Sequence, residues 1–118
     1  MESFCFEKKD VSQDILEVSL QGKVKTTDIP SFQELFQEIV AGKQKQIILD
    51  FSQLTFLNSK AVGIILRTLG AIRKTGGEMV ALNVNDQVLQ VFQFLTLDKL
   101  MKIFLSLEEA QAHFEKSS

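Results

Sequence analysis

The 118-residue sequence has no Trp or Tyr, and only one Cys, one His and one Pro. A single cysteine, Cys5, cannot close an internal disulfide, and a single histidine, His113, cannot seed a His-rich metal site. Disulfide stapling and structural zinc are therefore not expected to hold the fold, and no cofactor or metal is expected. The longest continuous apolar stretch runs from Ala61 to Leu66, Gly63 included. It is far short of the roughly 20 residues a membrane-spanning helix needs. The N-terminal stretch MESFCFEKKD has no apolar core of secretory-signal length, so the expected location is the cytoplasm. A net charge of −2, with no Lys/Arg cluster interleaved with aromatics, argues against nucleic acid as a partner. The aromatics are ten Phe. Without a polar tip, most of these rings read as core filler.

What is present suits a soluble globule: 45% hydrophobic and 24% charged residues, with no linker, repeat or low-complexity segment. One domain spanning 1–118 is expected, able to bury roughly two-thirds of its unfolded surface. Cys5 between Phe4 and Phe6, and Leu16, Val18 and Leu20 alternating with polar neighbours, give the period of two of a strand hairpin, with Cys5 as a small apolar side chain. Gly22 is expected to break the second strand. Pro30 suits the first turn of a helix, and Phe32, Leu35, Phe36, Ile39 and Val40 follow at helical spacing up to Gly42. Ile47-Ile48-Leu49 lacks alternation, as a central strand covered on both faces would. The chain then turns helical near Asn58, carries an apolar stripe of Val62, Ile65, Leu66, Leu69 and Ile72, and stops at Gly76-Gly77. A strand over 78–83, a helix capped by Asp86 with Val88, Val91, Phe92 and Leu95, a strand over 100–105 and a helix capped at Ser106 complete the pattern. Lys116-Ser117-Ser118 is expected to fray. The order is ββαβαβαβα, an α/β fold with a mixed, mostly parallel sheet, because parallel strands need crossovers of this kind.

Enzyme signatures are missing: no phosphate loop, dinucleotide turn, HExxH or nucleophile elbow. His113 lies in the last predicted helix, at its surface, and Glu108-Glu109 suits a helix N-terminus better than acid–base work. No catalytic activity is expected. Ser59 stands apart. It lies where a strand gives way to the first turn of a helix, close to unpaired backbone N–H groups and the positive end of the dipole, so a phosphoryl group on its hydroxyl would meet local support. The same geometry also fits plain capping by Asn58 and Ser59. Gly63 and Gly70, seven apart on nearly one helix face, suit either close packing on the sheet or a smooth surface for a partner.

The ordered set Leu20-x-Gly22, Ile47-Ile48-Leu49-Asp50-Phe51, Leu54 to Ser59, Val62-Gly63, Gly76-Gly77-Glu78-Met79, Val91-Phe92 and Leu97-x-Lys99-Leu100 resembles the STAS family, the domain shared by sulfate transporters and bacterial anti-sigma factor antagonists. The resemblance covers nearly the whole chain. It implies a non-enzymatic switch in a partner-switching pathway. The unphosphorylated protein binds an anti-sigma factor that is also a GHKL-type serine kinase, phosphorylation of one serine breaks that complex, and a PPM-type phosphatase restores it. Ser59 matches the acceptor of the family's Asp-Ser-Ser/Thr-Gly switch. Its neighbours depart from it: Asn58 stands for the Asp, Lys60 for the second hydroxyl residue and Ala61 for the Gly. The family's Gly-Glu-Leu-Asp on the second strand is here Gly22-Lys23-Val24-Lys25. In the family fold that strand end lies beside the serine, so Lys23, Lys25 and Lys60 are expected to give Ser59 a basic rim, with Asn58 and Gly63 completing the partner-binding edge. A phosphate with a charge of about −1.5 to −2 would be attracted there, and phosphorylation would expel a partner less sharply. The resemblance also admits a constitutive binding module, or a STAS subunit of a transport ATPase complex, neither of which uses serine phosphorylation.

Overall fold

A computed structural model describes residues 3–117, with the side chains of 116 and 117 excepted. Strands β1 (Cys5–Asp10), β2 (Ile15–Val24), β3 (Gln46–Leu57), β4 (Glu78–Leu82) and β5 (Ile103–Phe104) form one sheet in sequence order. β1 pairs antiparallel with β2, and every later pair is parallel. Helices α1 (Ile29–Ala41), α2 (Ser59–Lys74), α3 (Asp86–Phe94) and α4 (Leu107–Ser117) make the crossovers and close the chain. The order is the ββαβαβαβα expected from the alternation of two-residue and helical periods.

The two faces of the sheet are covered unequally. Val18, Leu20, Ile47, Leu49 and Phe51 point to one face, where Phe32, Leu35, Phe36 and Ile39 of α1, Val62, Ile65, Leu69 and Ile72 of α2, and Val88 and Phe92 of α3 complete the main core. The opposite face is smaller: Ile15, Ile48, Val80 and Leu82 are covered by Ala110 and Phe114 of α4. Ile47, Ile48 and Leu49 are fully buried, as a central strand requires. Where α4 does not reach, the second face is polar. Glu17 pairs in register with Ile48, and Asp50, two residues further along β3, shares its face. Burial first, and the Asp50 carboxylate second, push the Glu17 carboxyl above its ordinary value, with Lys9 opposing them.

That shift has a sign. The native state holds the Glu17 proton more tightly than the unfolded chain, so stability falls as pH rises from the ordinary glutamate range through the raised native value. Glu17→Gln removes this cost. The variant is expected to melt at a higher temperature than the parent at pH 7, with the gain vanishing as pH falls below the ordinary glutamate range; thermal melts across pH check it.

Several local expectations are corrected. Gly22 does not end β2: the strand continues to Val24, Gly22 takes φ +85°, and the register with β3 shifts on either side of it. Its freedom to adopt positive φ turns an expected break into a bulge. Cys5 is exposed on the edge strand, its Sγ–H donating to Gln21 Oε1 at 3.3 Å, so it is not a buried apolar group. The α3 cap is Asn85, whose side chain accepts the Val88 N–H at 3.0 Å, and Asp86 is the first helical residue. The strand expected over 100–105 shrinks to Ile103–Phe104. Leu97 and Met101 instead turn into the core, Leu97 from a short 3-10 turn, Leu97–Lys99, and Met101 from just beyond it, its N–H donating to the Leu97 carbonyl at 3.0 Å. His113 is half-buried, its ring beside those of Phe104 and Phe114, rather than a plain surface residue. Helix α4 runs to Ser117, past the expected fraying point, and Ser118 lies outside the described residues.

Candidate functional site around Ser59

The site begins with a strand end. Val24 at the end of β2 pairs with Leu57 near the end of β3, and the Val24 carbonyl accepts the Asn58 N–H at 3.2 Å. This bond fixes Asn58 as the extended cap of α2, where its Oδ1 accepts the Ala61 N–H at 3.0 Å. Ser59 is then the first helical residue and is exposed, as is Lys60. Lys23 and Lys25, the chain neighbours of Val24, come to the same end of the sheet. Lys25 is exposed, and its backbone N–H donates to Asp28 Oδ2 at 2.9 Å. Asn58, Ser59, Lys60, Lys23 and Lys25 are thus gathered where β2, β3 and α2 meet.

Asn58→Ala removes the acceptor for the Ala61 N–H and is expected to cost about 1 kcal/mol. Asn58→Asp keeps the acceptor and adds a negative charge at the positive end of the helix, so it is expected to be as stable as the parent or more so. Urea denaturation of both variants checks the pair.

Gly63 lies one turn further along α2, half-buried, and Gly70 is exposed. A Cβ added at either would find no atom within 4 Å, so close packing on the sheet is not what holds these glycines in place. The space beside them is open.

A feature that sequence reasoning missed adjoins the serine. Phe56, Leu57, Val91, Phe94 and Leu95 line a hollow of about 570 Å³, with Asn58 and Ser59 on its rim. A second hollow of about 440 Å³ shares Phe56, Leu57 and Val91 and reaches Lys23. The two form a groove between the end of β3 and α3. Phe56 is 45% exposed and Phe94 86% exposed. Asn85 anchors the groove from below, its Nδ2 donating to the Leu54 carbonyl. One signal was available in the sequence: Phe94 falls off the buried Val88-Phe92 stripe of an amphipathic helix, where an apolar ring has no core to enter.

Chemically the site offers an exposed hydroxyl at the edge of an apolar groove that reaches Lys23. Among the described residues no group of three or more His, Cys, Asp or Glu is placed to hold a metal ion, and no helix is long and apolar enough to cross a membrane.

Known proteins share this architecture. An anti-sigma-B factor antagonist of Staphylococcus aureus is 22% identical over 87 residues, 74% of this chain and 81% of that protein. The anti-sigma factor antagonist SpoIIAA in its unphosphorylated form superposes with a TM-score of 0.80 at 25% identity, over 95% of this chain and 97% of that one. The Bacillus cell fate determinant SpoIIAA in the phosphorylated form gives 0.73 at 23% identity, over 93% and 99%. The family model of the STAS domain matches residues 8–110, from the edge strand to the last helix. The chain belongs to the STAS domain family.

Proposed function

We propose that the protein is an anti-sigma factor antagonist, a non-enzymatic cytoplasmic binding module of one STAS domain over 1–118, switched by phosphorylation of Ser59. In the unphosphorylated state it binds an anti-sigma factor that is also a GHKL-type serine kinase, and so frees the sigma factor. The kinase transfers the ATP γ-phosphoryl group to Ser59 Oγ, the β,γ-anhydride bond breaking to leave ADP and the hydroxyl proton passing to a base of the kinase, and the complex separates; a PPM-type phosphatase hydrolyses the ester to serine and inorganic phosphate. The observation that carries this reading is the position of Ser59: exposed, at the first turn of a fixed helix, on the rim of an apolar groove. A kinase needs an accessible hydroxyl, and a partner held by the groove would sense a dianion placed on its edge. The names of the relatives support the general role.

A constitutive binding module, for example within a transport ATPase complex, is the second reading. It draws on the open space at Gly63 and Gly70, which gives α2 a smooth stripe apart from the serine. Titration of the anti-sigma kinase encoded in the same genome separates the two. The switch requires the parent and Ser59→Ala to bind alike and Ser59→Asp to bind at least about tenfold more weakly, a difference of about 1.4 kcal/mol. Equal binding by Ser59→Asp would favour the constitutive module.

A further inference from the structure

The groove beside Ser59 has a chemistry that names its occupant. Its walls are apolar, with Phe56 and Phe94 at the surface and Leu57, Val91 and Leu95 deeper. Gln87 and Gln90 of α3 offer hydrogen bonds along it, and Lys23 stands at its far end. Lys60 follows the rim serine, and Lys25 lies beyond Val24 at the adjoining strand end; both are exposed. Among the described residues no Asp or Glu lines either hollow. Asp28, the acid nearest in sequence to this strand end, is bonded to the Lys25 backbone amide.

We infer that this groove takes an amphipathic acidic segment of a partner protein, an apolar side chain entering between Phe56 and Phe94 with carboxylates reaching the lysine rim. Complementary charge selects such a partner and speeds its encounter, while the buried apolar anchor holds it. A second copy of this chain fits poorly, because a two-fold contact through the groove would set the lysine rim against itself. A flat anionic bilayer would leave the two hollows unfilled.

The inference rests on the proposed partner-binding role of this edge and adds how Ser59 would control it. A phosphoryl group there competes with the partner's carboxylates for the same lysines and repels them as well. The attraction between phosphate and lysine then sharpens expulsion, reversing the weaker expulsion expected from the rim's charge alone.

The test uses the full chain and two synthetic helical peptides with the same Leu/Phe face, one flanked by Glu and one by Lys. Fluorescence anisotropy gives affinity, and amide chemical shifts give location. The Glu peptide is expected to bind at least about tenfold more tightly, shifting Phe56, Ser59 and Phe94. Phe94→Ala should weaken it about tenfold and the double variant Lys25→Glu/Lys60→Glu about fivefold, all of these residues being exposed enough to replace without unfolding the chain. Equal or tighter binding of the Lys peptide, absence of binding by both, or shifts confined to another surface would overturn the inference. So would Phe94-dependent binding to phosphatidylserine vesicles in place of the peptide, or Phe94-dependent self-association in sedimentation. Because no kinase enters this experiment, its failure leaves the Ser59→Asp titration to decide the switch separately.

Discussion

Phe92→Ala is expected to destabilise the protein by about 3–5 kcal/mol, a large share of the roughly 5–15 kcal/mol that holds a typical domain together. Phe92 on α3 is fully buried and meets Phe51 on β3 edge-on, with ring centroids 5.2 Å apart and an interplanar angle of 85°. Removing it takes away the transfer energy of a large apolar side chain, leaves a cavity in a close-packed core and ends an aromatic pair. The effect reaches function, because this pair docks the helix that forms one wall of the groove beside Ser59. Phe94→Ala, two positions away but 86% exposed, is expected to change stability by less than about 0.5 kcal/mol. Urea denaturation reads both. The Phe92 variant should show a lower midpoint with an unchanged slope. A cost below about 1 kcal/mol would mean that α3 is not held on the sheet by this ring.

The loss of partner affinity in Ser59→Asp is the other large effect. Ser59 shares the rim of the groove with Asn58, so a partner that covers Phe56 and Phe94 must also remove water from around position 59. A neutral hydroxyl gives up its water at modest cost, and Ala gives up less, so Ser59→Ala should leave affinity nearly unchanged. A carboxylate loses far more on burial, whatever the charge of the partner. About tenfold is the least that this cost should produce. The phosphoserine, with nearly twice the charge of Asp, should exceed it.

Much of this architecture was legible in the sequence, for physical reasons. The spacing of Phe32, Leu35, Phe36 and Ile39 admits one buried helix face, and those four residues are the buried ones of α1. Asn58 was readable as a cap because a short side-chain oxygen ahead of an apolar stripe meets the unpaired amides of the first turn, and it accepts the Ala61 N–H. Other features were not legible. Ser52 and Gln53 are exposed and interrupt the apolar run of β3, concealing that Ile47-Ile48-Leu49 and the extended stretch ahead of Asn58 are one strand, Gln46–Leu57. A glycine at φ +85° inside a strand looks the same in sequence as one that ends it. The groove joins Phe56 to Phe94 through the docking of α3 on β3, a tertiary contact that no local period encodes. Lys60 is far in sequence from Lys23 and Lys25, and their backbone positions come to one end of the sheet only through the pairing of Val24 with Leu57 and the bond from Asn58 to Val24.

These features converge on one hydroxyl. The most direct measurement is incubation of the purified protein with its anti-sigma kinase and ATP, followed by mass spectrometry of the intact chain and its peptides. One phosphate per chain is expected, located on Ser59, absent from Ser59→Ala and removed by a PPM-type phosphatase. Phosphate on a different residue, or none in the parent protein while the same kinase phosphorylates its standard antagonist, would contradict the switch at Ser59.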